Sequence, residues 1–539
     1  MLSHAAVGVA LAGALLGGTA RADVKPNPLF TEGMVLQQGR EVPVWGTADD
    51  GEKVTVKIKT GDAAQEATAT AKDGKWAVKF VNLPAGGPYS MSFTGKNTIE
   101  FKDVLVGEVW VCSGQSNMEM SLRGCSDSQK AIAESKNPMI RLFTVPKKVA
   151  AHPETTVNSK WQECNPDTTP GFSGVAYYFG RDLQKARKVP VGLIHTSWGG
   201  TPAEAWTSQP ALEAEASLKY YVDGLKARDE SYVKPEMKAQ AEAKYKADME
   251  KYKEDAEIAK KEGKPAPKQP QRPNYIENDP HRPAGLYNGM IAPLQPYAIA
   301  GAIWYQGESN AGRAFEYRTL FNVMIEDWRH TWAKSAEAAE GKTDPDAGKF
   351  AFLLVQLAPF DPGWKPDNPP GDSNWAELRE AQLLSTKKLK KVGMAVITDV
   401  GDAKDIHPKR KEPVGARLAL AARAIQYGEK LVYSGPSYDS MKADGNKIVL
   451  SFTDVGAGLE AKDGDLTGFT IAGEDKKFHK AEATIQGDKV IVTSKDVDKP
   501  VAVRYGWANY PVVNLWNKDG LPASPFRTDD FPMITAPKK

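Results

Sequence analysis

The serine in the stretch VCSGQSNMEM, Ser116, sits between the amides of Gln115 and Asn117 and directly after an apolar run. Turns are rich in Gly, Ser and Asn, so this tetrapeptide by itself is no evidence of catalysis. A serine hydroxyl becomes a nucleophile when a base lies within hydrogen-bond reach and a carboxylate fixes that base's tautomer. Preset donors must also surround the developing oxyanion. The chain carries residues of each type. HTSWGGTPAEAW holds Gly199 and Gly200, IWYQGESNAG holds Gln306, Glu308 and Asn310, and DVGDAKDIHPKRK places Asp405 two residues before His407. Backbone amides of a Gly-Gly turn and a carboxamide such as Gln306 suit an oxyanion, and losing one such donor typically costs ~100- to 1000-fold in turnover.

Histidine scarcity narrows the choice of base. Of seven histidines, only His407 has an acid two residues before it and a helical pattern after it. His195 ends an apolar run and reads as a core residue. His281, in DPHRPAGLYNG, is close to a possible cleft wall and reads as structural. His152 and His330 lie in polar surroundings, His4 in the N-terminal apolar segment and His479 in a C-terminal β region.

These loops need a frame. VLVGEVWVC, MIRLFTV, VPVGLIHTS, AIAGAIWY, AFLLVQLAP and VGMAVITDV are nearly continuous apolar runs separated by helix-length segments. Strands buried on both faces have this composition, which predicts an α/β domain with a parallel sheet over residues 103–428. The polar residues following each run then gather at the carboxyl edge of the sheet, where open α/β folds bind ligands.

Around that domain the chain changes character. Residues 23–102 contain short strand-like runs (VPVWGTA, EKVTVKIKT, KWAVKFVNL) broken by Gly and Asp-Gly turns, which predicts a small β-sandwich-like module. Residues 429–539 return to the same pattern and predict a second β module. An Ala-, Lys- and Glu-rich insertion at about 211–275, ending in KPAPKQPQRP, reads as one or two exposed helices with a stiff linker, a solvated spacer. The 539 residues exceed one compact core, consistent with several domains.

Charge excludes one broad class. The formal net charge is +2 with no long basic block, so there is no electrostatic footprint for nucleic acid. The start of the chain reads as a secretory signal over residues 1–22, apolar from Ala5 to Leu16 and closing on Ala20-Arg21-Ala22. It is too short to span a membrane, as is every later apolar run. Of three cysteines, Cys125 and Cys164 are the expected pair in an oxidising compartment, whereas Cys112 in VWVC reads as a buried small hydrophobe. No cysteine spacing resembles a zinc site. Trp198, Trp206 and Trp304 suit stacking on a sugar or packing in a core. Arg417 and Arg423 read as surface ion-pair residues.

Taken in order, GEVWVCSGQSNMEM, SWGGTPAEAW, LYNGMIAPL, IWYQGESNA and DIHPKRKEPVGARLALAA resemble the sialate O-acetylesterase-like carbohydrate acetylesterases of the SGNH hydrolase superfamily. NPLFTEGMVLQQGREVPVWG before them and RYGWANYPVVNLWNKDGLPASPFRTD after them resemble the same family's flanking regions, so the likeness spans nearly all of the chain after residue 22. The resemblance implies a three-layer α/β/α hydrolase domain with Ser116 as nucleophile and His407 as general base. It also implies oxyanion donors from the Ser116 amide, the Gly199-Gly200 turn and the Gln306 carboxamide. The acid that orients His407 has two candidates, Asp405 and Glu308, of which Asp405 is favoured because the short spacing lets it share one turn with His407. The implied activity is removal of O-acetyl groups from a carbohydrate through an acetyl-enzyme, without metal or organic cofactor, in a secreted or periplasmic setting. Sialic acid, xyloglucan, xylan and pectin are the substrates it suggests. A non-catalytic carbohydrate-binding protein on the same scaffold would lack the Ser, the His or the acid, and none is missing. A serine peptidase is the third reading.

Overall fold

The computed structural model describes residues 23–225, 235–270, 278–340, 346–366 and 371–537. The expected signal, residues 1–22, and parts of the insertion lie outside them.

Seven strands form the frame: β1 (Thr98–Gly114), β2 (Asn137–Thr144), β3 (Gln162–Cys164), β4 (Val191–Ser197), β5 (Gly301–Tyr305), β6 (Ala351–Val355) and β7 (Val392–Ala395). Their spatial order is β3-β2-β4-β1-β5-β6-β7. Every neighbouring pair is parallel except the edge pair β3–β2. The apolar runs of the sequence become these strands because both of their faces are covered. Successive side chains point to opposite faces. Val109 and Val111 accordingly share a core with Phe321, Trp328 and Leu378, from the helices Ala314–Glu340 and Asn374–Lys388. Trp110 and Cys112 share another with Phe179, Leu183 and Leu418, from Gly174–Arg187 and Glu412–Ile425. Each large apolar side chain so buried contributes about 1.5–3 kcal/mol.

The expected boundary at 102/103 falls inside β1, which runs unbroken for 17 residues. Exposure alternates along β1 as far as Asp103 and vanishes from Val104 onward, the signature of a strand passing from a half-solvated sheet into a doubly covered one. Its first half pairs antiparallel with Gly86–Thr94, and its middle pairs parallel with Val35–Gln37. The N-terminal strands Lys53–Thr60 and Ala63–Thr70 thereby belong to one large mixed sheet of 11 strands. Val54 and Phe93 join the same apolar cluster as Trp304, so the core of this region is continuous with that of the α/β domain.

The C-terminal region is β-rich, with two four-stranded antiparallel sheets around Ile448, Leu450, Ile471, Val490 and Tyr505. Within the insertion, Pro235–Lys261 is one exposed helix, of which Ala259 alone is buried.

Two expectations are corrected. Cys125 and Cys164 are free thiols rather than a disulfide, with Cys125 Sγ donating to Ser121 O (3.5 Å) and Cys164 Sγ to Ser135 O (3.2 Å). Burial pushes these thiols up to about 11 and about 12, which keeps the reactive thiolate scarce. Arg417 is ion-paired but not on the surface. It is buried, forms a bidentate pair with Asp399 (2.6 and 2.9 Å) and donates to Val396 O.

Candidate active site

Parallel register brings the loops together. Gly114 at the end of β1 lies opposite both Ser197 of β4 and Tyr305 of β5, so the segments starting at 115, 198 and 306 leave the sheet side by side. Gly114 itself is required. Its φ is +139°, and a Cβ there would lie 2.2 Å from Tyr305 O. The chain then turns so that Gln115 N donates to Tyr305 O (3.0 Å), and Ser116 opens a short helix, Ser116–Glu119. The first amides of a helix have no intrahelical acceptor, which leaves the Ser116 N–H available to a ligand.

Ser116 Oγ lies 2.8 Å from His407 Nε2 across 291 residues of sequence. Both line an open cleft of about 690 Å³, together with Glu119, Lys147, His195 and Ser197. Asp405 Oδ1 accepts the His407 backbone N–H (2.9 Å) and stands 3.8 Å from His407 Nδ1. Asp402 Oδ1 accepts the amides of Lys404 and Asp405 and closes the turn that carries this pair.

Glu308 stands elsewhere. It is half-buried, its Oε1 accepts from Asn117 Nδ2 (2.5 Å), and its Oε2 is buried without a hydrogen-bond partner. Burial raises its pKa, against the opposing pull of its hydrogen bonds and of Lys411. Asn117 also donates to Ile406 O (3.0 Å), so the residue after Ser116 holds the residue before His407. Asn117 Oδ1 in turn accepts from Lys411 Nζ (2.5 Å), and burial lowers that ammonium to about 8. A Lys411–Asn117–Glu308 chain, buried at its first two members, thus ties the serine turn, the histidine loop and the Gln-Gly-Glu loop together. The sequence reading missed Asn117 and Lys411 as parts of the site. Their signal was faint: a polar residue after Ser116 and a lysine within KRKEP.

The expected oxyanion donors fare differently. Gly199 N donates to Glu119 Oε2 (2.5 Å), and the other Glu119 oxygen pairs with Lys147, whose ammonium lies 5.3 Å from the centre of the Trp198 ring. Gly200 adopts φ +77°, and its carbonyl accepts from His281 Nε2 (2.9 Å) while Asp279 lies 3.0 Å from His281 Nδ1. The Gln306 carboxamide is the exception. Its Nε2 donates to Thr201 O (3.2 Å) and Asn310 Oδ1 (2.7 Å), and its Oε1 accepts from Tyr317 (2.9 Å). Gln306 is fully buried and braces the loops, with both amide hydrogens already spent. Asn310 extends the brace by donating to Glu204.

His195 is bonded to Ser197 Oγ (2.6 Å), and burial lowers it to about 4, so it is neutral near pH 7. Trp206 and Trp304 are wholly buried and pack edge to face, leaving Trp198 as the one partly exposed ring of the three.

Residues 106–257 match the family described as carbohydrate esterase, sialic acid-specific acetylesterase. Sialate O-acetylesterase of Mus musculus is 28% identical over 531 residues, covering 92% of each chain. That of Homo sapiens is 27% identical over 527 residues, covering 92% of this chain and 90% of the other. The crystal structure of a carbohydrate acetylesterase from Xanthomonas citri is 36% identical and superposes with a TM-score of 0.76, over 94% of this chain and all of the other. The chain belongs to the sialate O-acetylesterase family of carbohydrate esterases. This esterase therefore combines a mixed α/β fold and β-rich C-terminal modules with a Ser–His pair at the carboxyl edge of its sheet. Among the described residues no helix is long and apolar enough to cross a membrane.

Proposed function

We propose that this carbohydrate esterase removes O-acetyl groups from sugars by a two-step serine mechanism in a three-layer SGNH hydrolase domain. The observation that carries the reading is the 2.8 Å contact between Ser116 Oγ and His407 Nε2 at the end of β1. Ser116 Oγ attacks the acetyl carbonyl while His407 Nε2 takes its proton. His407 then returns that proton to the departing sugar hydroxyl, leaving an acetyl-Ser116 ester. Water, deprotonated by His407, hydrolyses the ester to acetate. Asp405 orients His407 and stabilises its charged form, closing the 3.8 Å gap to Nδ1 when the ring is protonated. The Ser116 and Gly199 amides and the Gly199-Gly200 turn bind the oxyanion.

Within this reading the acetylated substrate is a polysaccharide. The cleft is wide and open, and its ammonium, Lys147, is already paired with Glu119, which leaves little positive charge for a sialate carboxylate. The N-terminal apolar segment with its small-residue end supports a secreted or periplasmic location.

Release of nitrophenol from an aryl acetate tests the mechanism, and equal rates for wild type and Ser116→Ala would refute it. Acetate release compared across acetylated sialosides, xyloglucan, xylan and pectin tests the substrate class. Activity confined to the sialosides would refute the polysaccharide reading.

A further inference from the structure

Away from the cleft, a second cavity of about 650 Å³ opens between the α/β domain and the C-terminal β region. Its walls come from both. Asp361, Trp364 and Asp372 follow β6, whereas Trp507, Asn509 and Tyr510 follow the strand Ala502–Tyr505. Trp364 and Tyr510 are half-buried and meet edge to face at 5.3 Å, so both rings keep an open surface.

The cavity is rigidly built. The wholly buried Arg379 guanidinium donates to Leu357 O, Ala358 O, Ala508 O and Asn509 O, fastening the two walls to each other. Ser373 Oγ donates to Asn509 Oδ1 (2.6 Å), which fixes that carboxamide and leaves its N–H groups as donors. The cavity also abuts the candidate base loop, because Asp361 N donates to Ala403 O (3.1 Å), four residues before His407.

We infer that this cavity is a subsite for the backbone of a neutral polysaccharide whose acetylated residue lies at Ser116. The chemistry of the lining is that of a sugar site: flat rings for the C–H faces of pyranoses, carboxylates for hydroxyl donors and a carboxamide for hydroxyl acceptors. Asp361 and Asp372 are matched by Lys365 and Lys480 on the same walls, so no net field selects an anionic polymer. The inference rests on the polysaccharide reading above and extends it, since it gives the C-terminal region a part in holding substrate.

Affinity electrophoresis of the full chain through deacetylated xyloglucan, xylan and polygalacturonate measures binding without turnover. It therefore stands apart from any failure of the esterase reading. At least one neutral polymer should retard the wild type, and Trp364→Ala/Tyr510→Ala should lose that retardation. On the acetylated neutral polymer the same variant should show KM raised about 5- to 10-fold, the effect of losing roughly 1 kcal/mol of ring contact. Its kcat/KM on an aryl acetate should stay within twofold of wild type. If the double variant does not fold, Asp372→Lys, at a side chain 61% exposed, puts a long cation at the cavity and should weaken retardation likewise. Wild type retarded by no polymer or by polygalacturonate alone, or a folded variant retarded like wild type, overturns the inference.

Discussion

The carboxylate of Glu119 accepts the amide hydrogen of Gly199 at 2.5 Å, on a turn so close to Ser116 that a Cβ at Gly199 would lie 3.2 Å from Ser116 Cβ. An anion seated on that donor competes with the oxyanion that the proposed mechanism brings there. In Glu119→Gln the acceptor oxygen remains and its charge is gone, so a bound oxyanion displaces it more readily. We expect kcat on an aryl acetate to rise about fivefold, the effect of weakening a charged hydrogen bond by roughly 1 kcal/mol. A drop in kcat would mean that Glu119 is needed to hold the turn instead.

The two carboxylates near His407 separate by environment. Asp405 has an exposed carboxylate beside Nδ1, whereas Glu308 points a buried oxygen inward and accepts from Asn117, one residue away from the nucleophile. Asp405→Asn should therefore lower kcat by about 1,000- to 10,000-fold with little change in melting temperature. Glu308→Gln keeps the acceptor for Asn117 and should cost less than about tenfold. The reverse ranking, measured on folded variants, would reassign the acid to Glu308.

Much of this was legible in the sequence because parallel strands buried on both faces have an unmistakable composition. The runs ending at Gly114, Ser197 and Tyr305 were visible, and parallel register then brings their following loops to one edge. What stayed hidden depends on distance in space. No local pattern shows that Lys411 and Asn117, 294 residues apart, share a hydrogen bond, or that Glu119 reaches Gly199. The change of composition near residue 102 marks where the covering of β1 changes, not where the strand ends. Gln306 is the right residue type for an oxyanion donor, yet Thr201, Asn310 and Tyr317 claim it. Composition cannot reveal such competition.

Gly114 offers a test of the frame itself. Any side chain there meets Tyr305 O and also strains a backbone at φ +139°. Gly114→Ala should destabilise the fold by about 3 kcal/mol or more, seen as a lower urea midpoint with an unchanged m-value. Activity should fall with it, since the same clash pushes β1 from β5 and displaces Ser116. A variant as stable as wild type would show that the two strands can separate at little cost.

Lys411 sets a pH dependence whose sign can be worked out. Burial lowers its pKa from 10.5 to about 8, so across that window the unfolded chain holds more protons than the folded one. Folding stability from this group therefore rises as pH climbs from about 8 to about 10.5. Function runs the other way. Deprotonation weakens the bond to Asn117 Oδ1 and removes the charge opposite Glu308, loosening the tie between Ser116 and the loop of His407. The kcat profile should thus fall on an alkaline limb near pH 8. Lys411→Arg, charged throughout, should carry the limb beyond pH 10, whereas Lys411→Met should lack it and run about 10- to 100-fold slower at pH 7. Measuring kcat from pH 6 to 10, corrected for spontaneous ester hydrolysis, decides the matter. A limb near pH 8 that persists unchanged in Lys411→Met would assign it to another group.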